Sequence, residues 1–330
     1  MPAAAPEKLT PVTILTGFLG SGKTTLLNRI LTEQHGERIA VIENEFGEEG
    51  IDNDILVQDK EEQIVEMNNG CICCTVRGDL VRILGELDAK KKAGTLSFDR
   101  VIIETTGLAD PGPVAQTFFM DEKIHEQYLL DAVITVVDAK HAQLQLDRHD
   151  EARQQVGFAD RVLISKTDLV SEEETKALMH RLRKMNPRAP HTKVHFGETD
   201  LKEILDIRGF NLNSILEIDP GFLEDDHHDH DDEIGSFIWK DARALDMEKI
   251  ETFLSLMIQN YGIDLLRYKG VLNVKDEPKR MIFQGVHMLM GGTPGKPWAP
   301  GEARESKMVF IGRKLPRKLF VEGLAYCIAS

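Results

Sequence analysis

The apolar positions along this chain fall in short blocks, and the spacing inside each block indicates the element it forms. Val12-Thr13-Ile14-Leu15, Ile39-Ala40-Val41-Ile42, Val101-Ile102-Ile103, Ala132-Val133-Ile134-Thr135-Val136-Val137 and Val162-Leu163-Ile164 are near-continuous runs rich in β-branched residues. Such runs suit strands buried on both faces, as in a parallel sheet. Between them, Leu26, Leu27, Ile30 and Leu31 recur at helical spacing with Gly36 as a stop, and Leu80 to Leu87 reads as a second helix. Ser171-Glu172-Glu173-Glu174 is a capping box that opens another, and Lys193 to Phe196 is the last strand of this region. Strands alternating with helices predict an α/β fold with a mostly parallel, doubly wound sheet.

The pattern changes after Asp219. Gly221 to Glu233 is a low-complexity run of acids and histidines, read as a linker over 220–235. From Ser236 a smaller α+β unit follows. Ser236 to Lys240 is a strand, and Ile250, Phe253, Leu254 and Met257 mark a helix within Asp246 to Tyr261. Val271 to Val274 and Arg280 to Val286 form a strand pair turned at Asp276 to Lys279, followed by a strand at Lys307 to Ile311 and a helix from Pro316. The expected organisation is therefore 1–219, a linker at 220–235, and 236–330.

Composition narrows the function. At 330 residues the chain is long enough for two domains. With 40 basic against 55 acidic residues, net −15, it lacks the footprint of a nucleic-acid binder. No run of eighteen apolar residues occurs, so no membrane span is expected. The start, Met1 to Lys8, lacks the apolar core of a signal peptide. Three of the four cysteines stand at 71, 73 and 74, which suits a metal in a reducing compartment better than a disulfide framework. Cytoplasm is the expected location.

The chemistry gathers at strand ends. Thr16 to Thr25 matches G-x-x-x-x-G-K-[ST] between a strand and a helix. Gly17, Gly20 and Gly22 have no Cβ to block approach to a triphosphate, and Phe18, Leu19 and Ser21 complete the loop. The helix beginning near Lys23 adds unsatisfied N–H groups and a positive dipole end. Lys23 would reach the β- and γ-phosphates, and the Thr24 hydroxyl would ligate Mg²⁺, with Thr25 beside it. Glu104 ends the strand at Val101 to Ile103 with Gly107 three positions on, the Walker B arrangement with Glu for the commoner Asp. Leu108 to Pro113 then reads as a stiff switch loop.

Ser165-Lys166-Thr167-Asp168 stands where many GTPases carry N-K-x-D. Asp168 would accept from guanine N1 and N2, and the Lys166 stem would cover the ring. Ser165 in place of Asn removes a side-chain amide, so guanine is favoured on fewer bonds. Glu43 to Gly50 leaves the second strand; Glu45 and Glu49 read as solvated, while Glu43 and Glu48 are candidates for an ion or a water. Cys71, Cys73 and Cys74 follow a turn at Asn68 to Gly70. Thiolates are soft ligands for Zn²⁺, Cu⁺ or a similar ion, and two of them with Glu43, Glu48 or a water make an open site. His227, His228 and His230 could chelate Zn²⁺, Co²⁺ or Ni²⁺, although like-charged runs are usually just solvated. In the second half, Arg267, Lys269, Gln284 and His287 read as structural or partner-facing, and Cys327 as core.

Together these motifs make the chain resemble the CobW-type metallochaperone GTPases, and within them the YjiA-like branch. The residues that carry it are GFLGSGKTTLL at 17–27, ENEFGE at 43–48, NGCICC at 69–74, ETTGLADPGP at 104–113, SKTD at 165–168 and LLRYKG at 265–270. The resemblance implies a slow GTPase of the group that contains UreG and HypB. Such a protein uses GTP and Mg²⁺, handles a transition metal, often zinc, and delivers it to a client metalloprotein. Carried over by position, the metal-responsive residues are Cys71, Cys73 and Cys74 with Glu43 and Glu48 nearby. Glu48 and Glu104 are the candidates for positioning the attacking water, and no arginine finger is evident. Two other classes stay open, a P-loop kinase of a small metabolite and a non-catalytic metal buffer. The client and the oligomeric state, a homodimer included, are not specified by the sequence.

Overall fold

The computed structural model describes residues 9–33, 36–44, 64–67, 75–197, 200, 204–207, 233–299 and 301–329, with the side chains of 44, 64–67 and 75–77 left aside. By contacts the chain forms two compact units, neither contiguous in sequence. The first takes Met1–His141, Asp160–Val170 and Thr192–Gly209; the second takes Ala142–Ala159, Ser171–His191 and Phe210–Ser330. Most of the expected linker lies outside the described residues.

The first unit is built on a sheet whose strands run β1 (Thr10–Thr16), β2 (Ile39–Asn44), β3 (Ile64–Met67), β4 (Arg100–Glu104), β5 (Tyr128–Asp138), β6 (Arg161–Ser165) and β7 (His191–Lys193) in sequence. In space the order is β3-β2-β4-β1-β5-β6-β7. The pairs from β3 through to β6 are all parallel, as the unbroken apolar runs require. The helices α1 (Lys23–Thr32), α2 (Thr75–Lys92), α3 (Gly112–Met120) and α4 (Glu122–Gln127) accompany it. Leu26, Leu27 and Ile30 of α1 pack on Leu15, Ile102, Ile134 and Leu163 in one buried cluster.

Three local expectations are adjusted. β3 was not legible as a strand, because Ile64-Val65-Glu66-Met67 is short and has little pattern of its own. The loop expected over Leu108 to Pro113 runs directly into α3, with the Gly112 N–H donating to Asp110 Oδ1 at 2.8 Å. The strand expected at Lys193 to Phe196 is regular only over His191–Lys193. The Val194 N–H still reaches the Ile164 carbonyl at 2.9 Å, but Phe196 and Gly197 then turn to φ of 47° and 76°.

The second unit holds an antiparallel sheet of β8 (Ile234–Asp241), β9 (Leu265–Leu272), β10 (Lys279–Val286), β11 (Leu289–Pro297) and β12 (Ser306–Arg313), in spatial order β11-β10-β9-β12-β8. One face packs against α8 (Met247–Tyr261) and α9 (Arg317–Tyr326) through Trp239, Tyr268, Phe283, Phe310 and Phe320. Asp246 caps α8 by accepting from the Lys249 N–H at 3.1 Å. Cys327 is 1 % exposed in this core, and burial pushes its thiol up to about 11. β11 was missed because Gly291, Gly292, Pro294 and Gly295 read as a loop; as an edge strand it tolerates them. β9 begins at Leu265, earlier than the apolar run from Val271 indicated.

This unit also includes α5 (Ala142–Arg148), α6 (Asp150–Phe158) and α7 (Glu172–Met185). The capping box at the start of α7 is formed, with Glu174 N to Ser171 Oγ at 3.1 Å and Ser171 N to Glu174 Oε2 at 2.8 Å. Buried Arg267 donates to the Phe158 carbonyl at 2.7 Å, and Ser236 Oγ donates to the Lys184 carbonyl at 2.8 Å, so α6 and α7 are tied to the sheet through backbone carbonyls.

Candidate functional site

The carboxyl ends of β1, β4, β5 and β6 bring most of the expected nucleotide residues together. After β1 the chain turns through Gly17 to Gly22, and α1 begins at Lys23. A Cβ on Gly17, at φ 147°, would stand 2.3 Å from the Val136 carbonyl oxygen, so no other residue fits there. Gly22 is the N-cap of α1 in the left-handed region with no side-chain cap, so the helix's first N–H groups face the loop uncovered by a side chain. Lys23 is 8 % exposed and folds its ammonium over the loop, donating to the Gly17 carbonyl at 2.9 Å and the Phe18 carbonyl at 3.4 Å. Burial lowers its pKa, partly opposed by the Glu104 charge. Ser21 is fully buried with its hydroxyl oxygen lacking a hydrogen-bond partner. A buried ammonium, an orphaned hydroxyl and an uncapped helix start fit a polyphosphate.

The side expected to face the γ-phosphate is assembled by β4. Glu104 Oε1 accepts from Thr24 Oγ1 at 3.2 Å, two oxygen donors suited to a hard divalent ion such as Mg²⁺. The exit of β4 is stitched to that of β1, with Thr105 N on the Leu15 carbonyl at 2.9 Å and Thr105 Oγ1 on Thr16 Oγ1 at 2.8 Å. Gly107 therefore lies directly on the phosphate loop, where a Cβ would meet Leu19 N at 2.6 Å. Leu19 itself is exposed, and Thr25 lies in the first turn of α1.

The side expected to take the base is assembled by β5 and β6. Lys166 sits at φ 55° and divides its ammonium between the Gly20 carbonyl at 2.7 Å and Asp138 Oδ2 at 2.8 Å. Asp138, 2 % exposed, also accepts from Lys140 N at 2.8 Å and pairs with His141 Nδ1 at 2.9 Å. Burial alone would raise its pKa, but the Lys166 and His141 hydrogen bonds outweigh burial and hold it low. Asp138 was not singled out, although an acid ending an apolar strand is the same signal that marked Glu104. The Ser165 hydroxyl is engaged by the backbone: it donates to the Ser21 carbonyl at 2.6 Å, with the Val137 carbonyl at 3.3 Å. It tethers β6 to the phosphate loop. Asp168, in a 3-10 turn at Thr167–Leu169, is the half-exposed carboxylate beside it, with His195 Nδ1 at 3.5 Å.

Of the residues expected to take a transition metal at the thiol site, only Glu43 is described. It is the penultimate residue of β2, in register with Glu104 on one side and Glu66 on the other. Glu48, Cys71, Cys73 and Cys74 lie outside the described residues, as does the histidine run at 227–230. Among the described residues no group of three His, Cys, Asp or Glu could hold a metal ion. Met67, the last described residue before the thiols, pairs with Asn44 at the same sheet edge as Glu104.

Known proteins share this arrangement. Residues 11–193 match the family model for the CobW/HypB/UreG nucleotide-binding domain, and residues 234–328 match that for the cobalamin synthesis protein cobW C-terminal domain. The zinc chaperone YjiA of Escherichia coli is 44 % identical over 310 residues, which cover 93 % of this chain and 95 % of that protein. The zinc chaperone CobW of Pseudomonas aeruginosa is 34 % identical, covering 97 % of this chain and 92 % of its own. The crystal structure of the Zn(II)-bound YjiA GTPase from E. coli superposes with a TM-score of 0.80 at 37 % identity, covering 98 % of this chain and all of that one.

Proposed function

We propose that this chain, which belongs to the CobW/HypB/UreG family, binds GTP, hydrolyses it slowly, and uses it to handle a transition metal for a client protein. Zinc is the favoured cargo, since relatives of this length and likeness are named zinc chaperones. The observation that carries the reading is the shared sheet edge. Glu43 and Glu104 stand in register there on adjacent strands, and β3, which precedes the Cys71, Cys73 and Cys74 segment in sequence, pairs with β2; this reading takes the thiols and the γ-phosphate to be neighbours at that edge.

In this reading Lys23, the α1 N-terminus and the loop N–H groups hold the β- and γ-phosphates. Thr24 and Glu104 would hold Mg²⁺, which supplies charge neutralisation at the phosphoryl oxygens. Glu48 or Glu104 orients the attacking water, and Gly107 senses the γ-phosphate through its N–H. Asp168 accepts from the guanine edge while the Lys166 stem covers the ring. Cys71, Cys73 and Cys74, with Glu43 or Glu48, take the metal. Residues 1–219 then carry the nucleotide chemistry and 236–330 the family's C-terminal domain, joined by 220–235. No helix among the described residues is long and apolar enough to cross a membrane; the clustered thiols assign the protein to the reducing cytoplasm.

The test is a competition titration of Zn²⁺ under reducing conditions, with and without a non-hydrolysable GTP analogue. Coupled sites change zinc affinity by about tenfold between the two, with the reciprocal change in nucleotide affinity. Equal zinc affinities in both arms would refute the coupling.

A further inference from the structure

We propose that Phe196 is the second wall of the base pocket, stacking a nucleobase against the stem of Lys166. This rests on the nucleotide-binding reading of the site and adds a residue that the S-K-T-D motif does not contain.

The segment after β7 is pinned on both sides. Val194 is buried among Leu26, Leu27 and Ile30, and its N–H donates to Ile164 at 2.9 Å, beside the strand that carries Ser165 and Lys166. Gly197 lies on the first turns of α1, where a Cβ would meet Leu26 Cα at 3.2 Å and the Thr25 carbonyl at 3.4 Å. His195 and Phe196 thus bridge the base strand and the helix that takes the phosphates. The His195 ring stands 3.5 Å from Asp168 Oδ1 and meets the Phe196 ring edge-on, with centroids 4.6 Å apart.

An exposed phenylalanine by itself says nothing. This one is 75 % exposed and also holds φ at 47°, a region that bulky residues avoid. Both features are unfavourable locally, and both are met beside the carboxylate expected to read guanine. Lys166, directly after β6, has its ammonium fixed by Gly20 and Asp138, which makes its aliphatic stem a fixed surface. A purine resting on that stem leaves its other face to water unless an aromatic ring covers it. Stacking is tolerant of base identity, because every base offers a π-face. Phe196 therefore adds affinity for nucleotides in general, and Asp168 supplies the discrimination.

The experiment uses the full-length chain and its F196A and F196W variants, with GDP, ADP and inorganic tripolyphosphate as probes. F196A is expected to weaken GDP and ADP by about tenfold each, leaving their ratio and the tripolyphosphate affinity unchanged. F196W should retain GDP affinity within about twofold, and its added indole emission, measured against the background of Trp239 and Trp298, should be quenched by GDP. Because the ring is exposed, the melting temperature of F196A should match that of the parent. The proposal is overturned if F196A binds GDP as the parent does, or if tripolyphosphate affinity falls in parallel with GDP. A parent chain that binds tripolyphosphate but no nucleotide overturns the reading of the site together with the stack.

Discussion

The two sheets of this chain bury their strands by different means, and the difference explains where the polar chemistry collects. In the first unit, β1, β4, β5 and β6 are parallel and mostly apolar, with Arg100 and Asp131 paired at 2.8 Å towards their amino ends, so every strand releases its chain at one edge. Lys23, Glu104, Asp138 and Lys166 each follow or end one of those strands, and they meet there. In the second unit the strands alternate in direction, so successive strand ends fall on opposite edges. There Arg267 is held by the Phe158 carbonyl, and Asn186 by the Val156 and Ala159 carbonyls at 2.8 Å each. A parallel sheet concentrates functional groups; an antiparallel one of the same size disperses them.

The comparison can be broken by substitutions that act on one unit only. Lys23→Ala removes the buried ammonium from the phosphate loop and should lower phosphate release from GTP by about a thousandfold, roughly 4 kcal/mol. Retention of turnover would detach the loop from the chemistry. Phe320→Ala opens a hole beside Phe237, Phe253 and Phe310, and should lower the unfolding free energy of the second unit by about 3–5 kcal/mol in urea. GDP affinity should be unchanged; a parallel loss would mean that the nucleotide site depends on the antiparallel core.

Smaller effects sharpen the picture within the first unit. Ser165→Ala leaves the Ser21 carbonyl without its hydroxyl donor. It should weaken GDP by several-fold, about 1 kcal/mol, with the GDP-to-ADP ratio unchanged, as expected of a tether that does not read the base. A shifted ratio would return Ser165 to base recognition. The smallest effect lies away from the site, where Arg38 grips Asp99 and its hydrogen bonds draw the carboxyl down to about 2 against the opposing effect of burial. The folded pKa is depressed, so this ion pair stabilises above the usual carboxylate range near 4 and is lost as pH falls towards 2. With its side chain 42 % exposed, Asp99 should contribute less than about 1 kcal/mol. Asp99→Asn should flatten the melting-temperature profile over that interval, and an unchanged slope would remove the pair from the account.

The phosphate loop, the Walker B acid and the strands around them were legible in the residues alone, because each is defined by neighbours along the chain. Gly17 to Lys23 and the strand before them are contiguous, so the motif expected to bind an anion can be read from one segment. The capping box at Ser171 was legible for the same reason. β3 and β11 were not, since a four-residue strand and a glycine-rich edge acquire their form from the partner they pair with. Nor could any local pattern show that Ser165 reaches Ser21, that Asp138 holds Lys166, or that His195 arrives beside Asp168. Those contacts join residues far apart in the chain, and they exist only because parallel register brings separate strand exits to one edge. The sequence by itself determined which groups were available to bind phosphate, base and metal. Tertiary packing decided which of them face each other, since strand order and register are set by burial over the whole sheet and by no single segment.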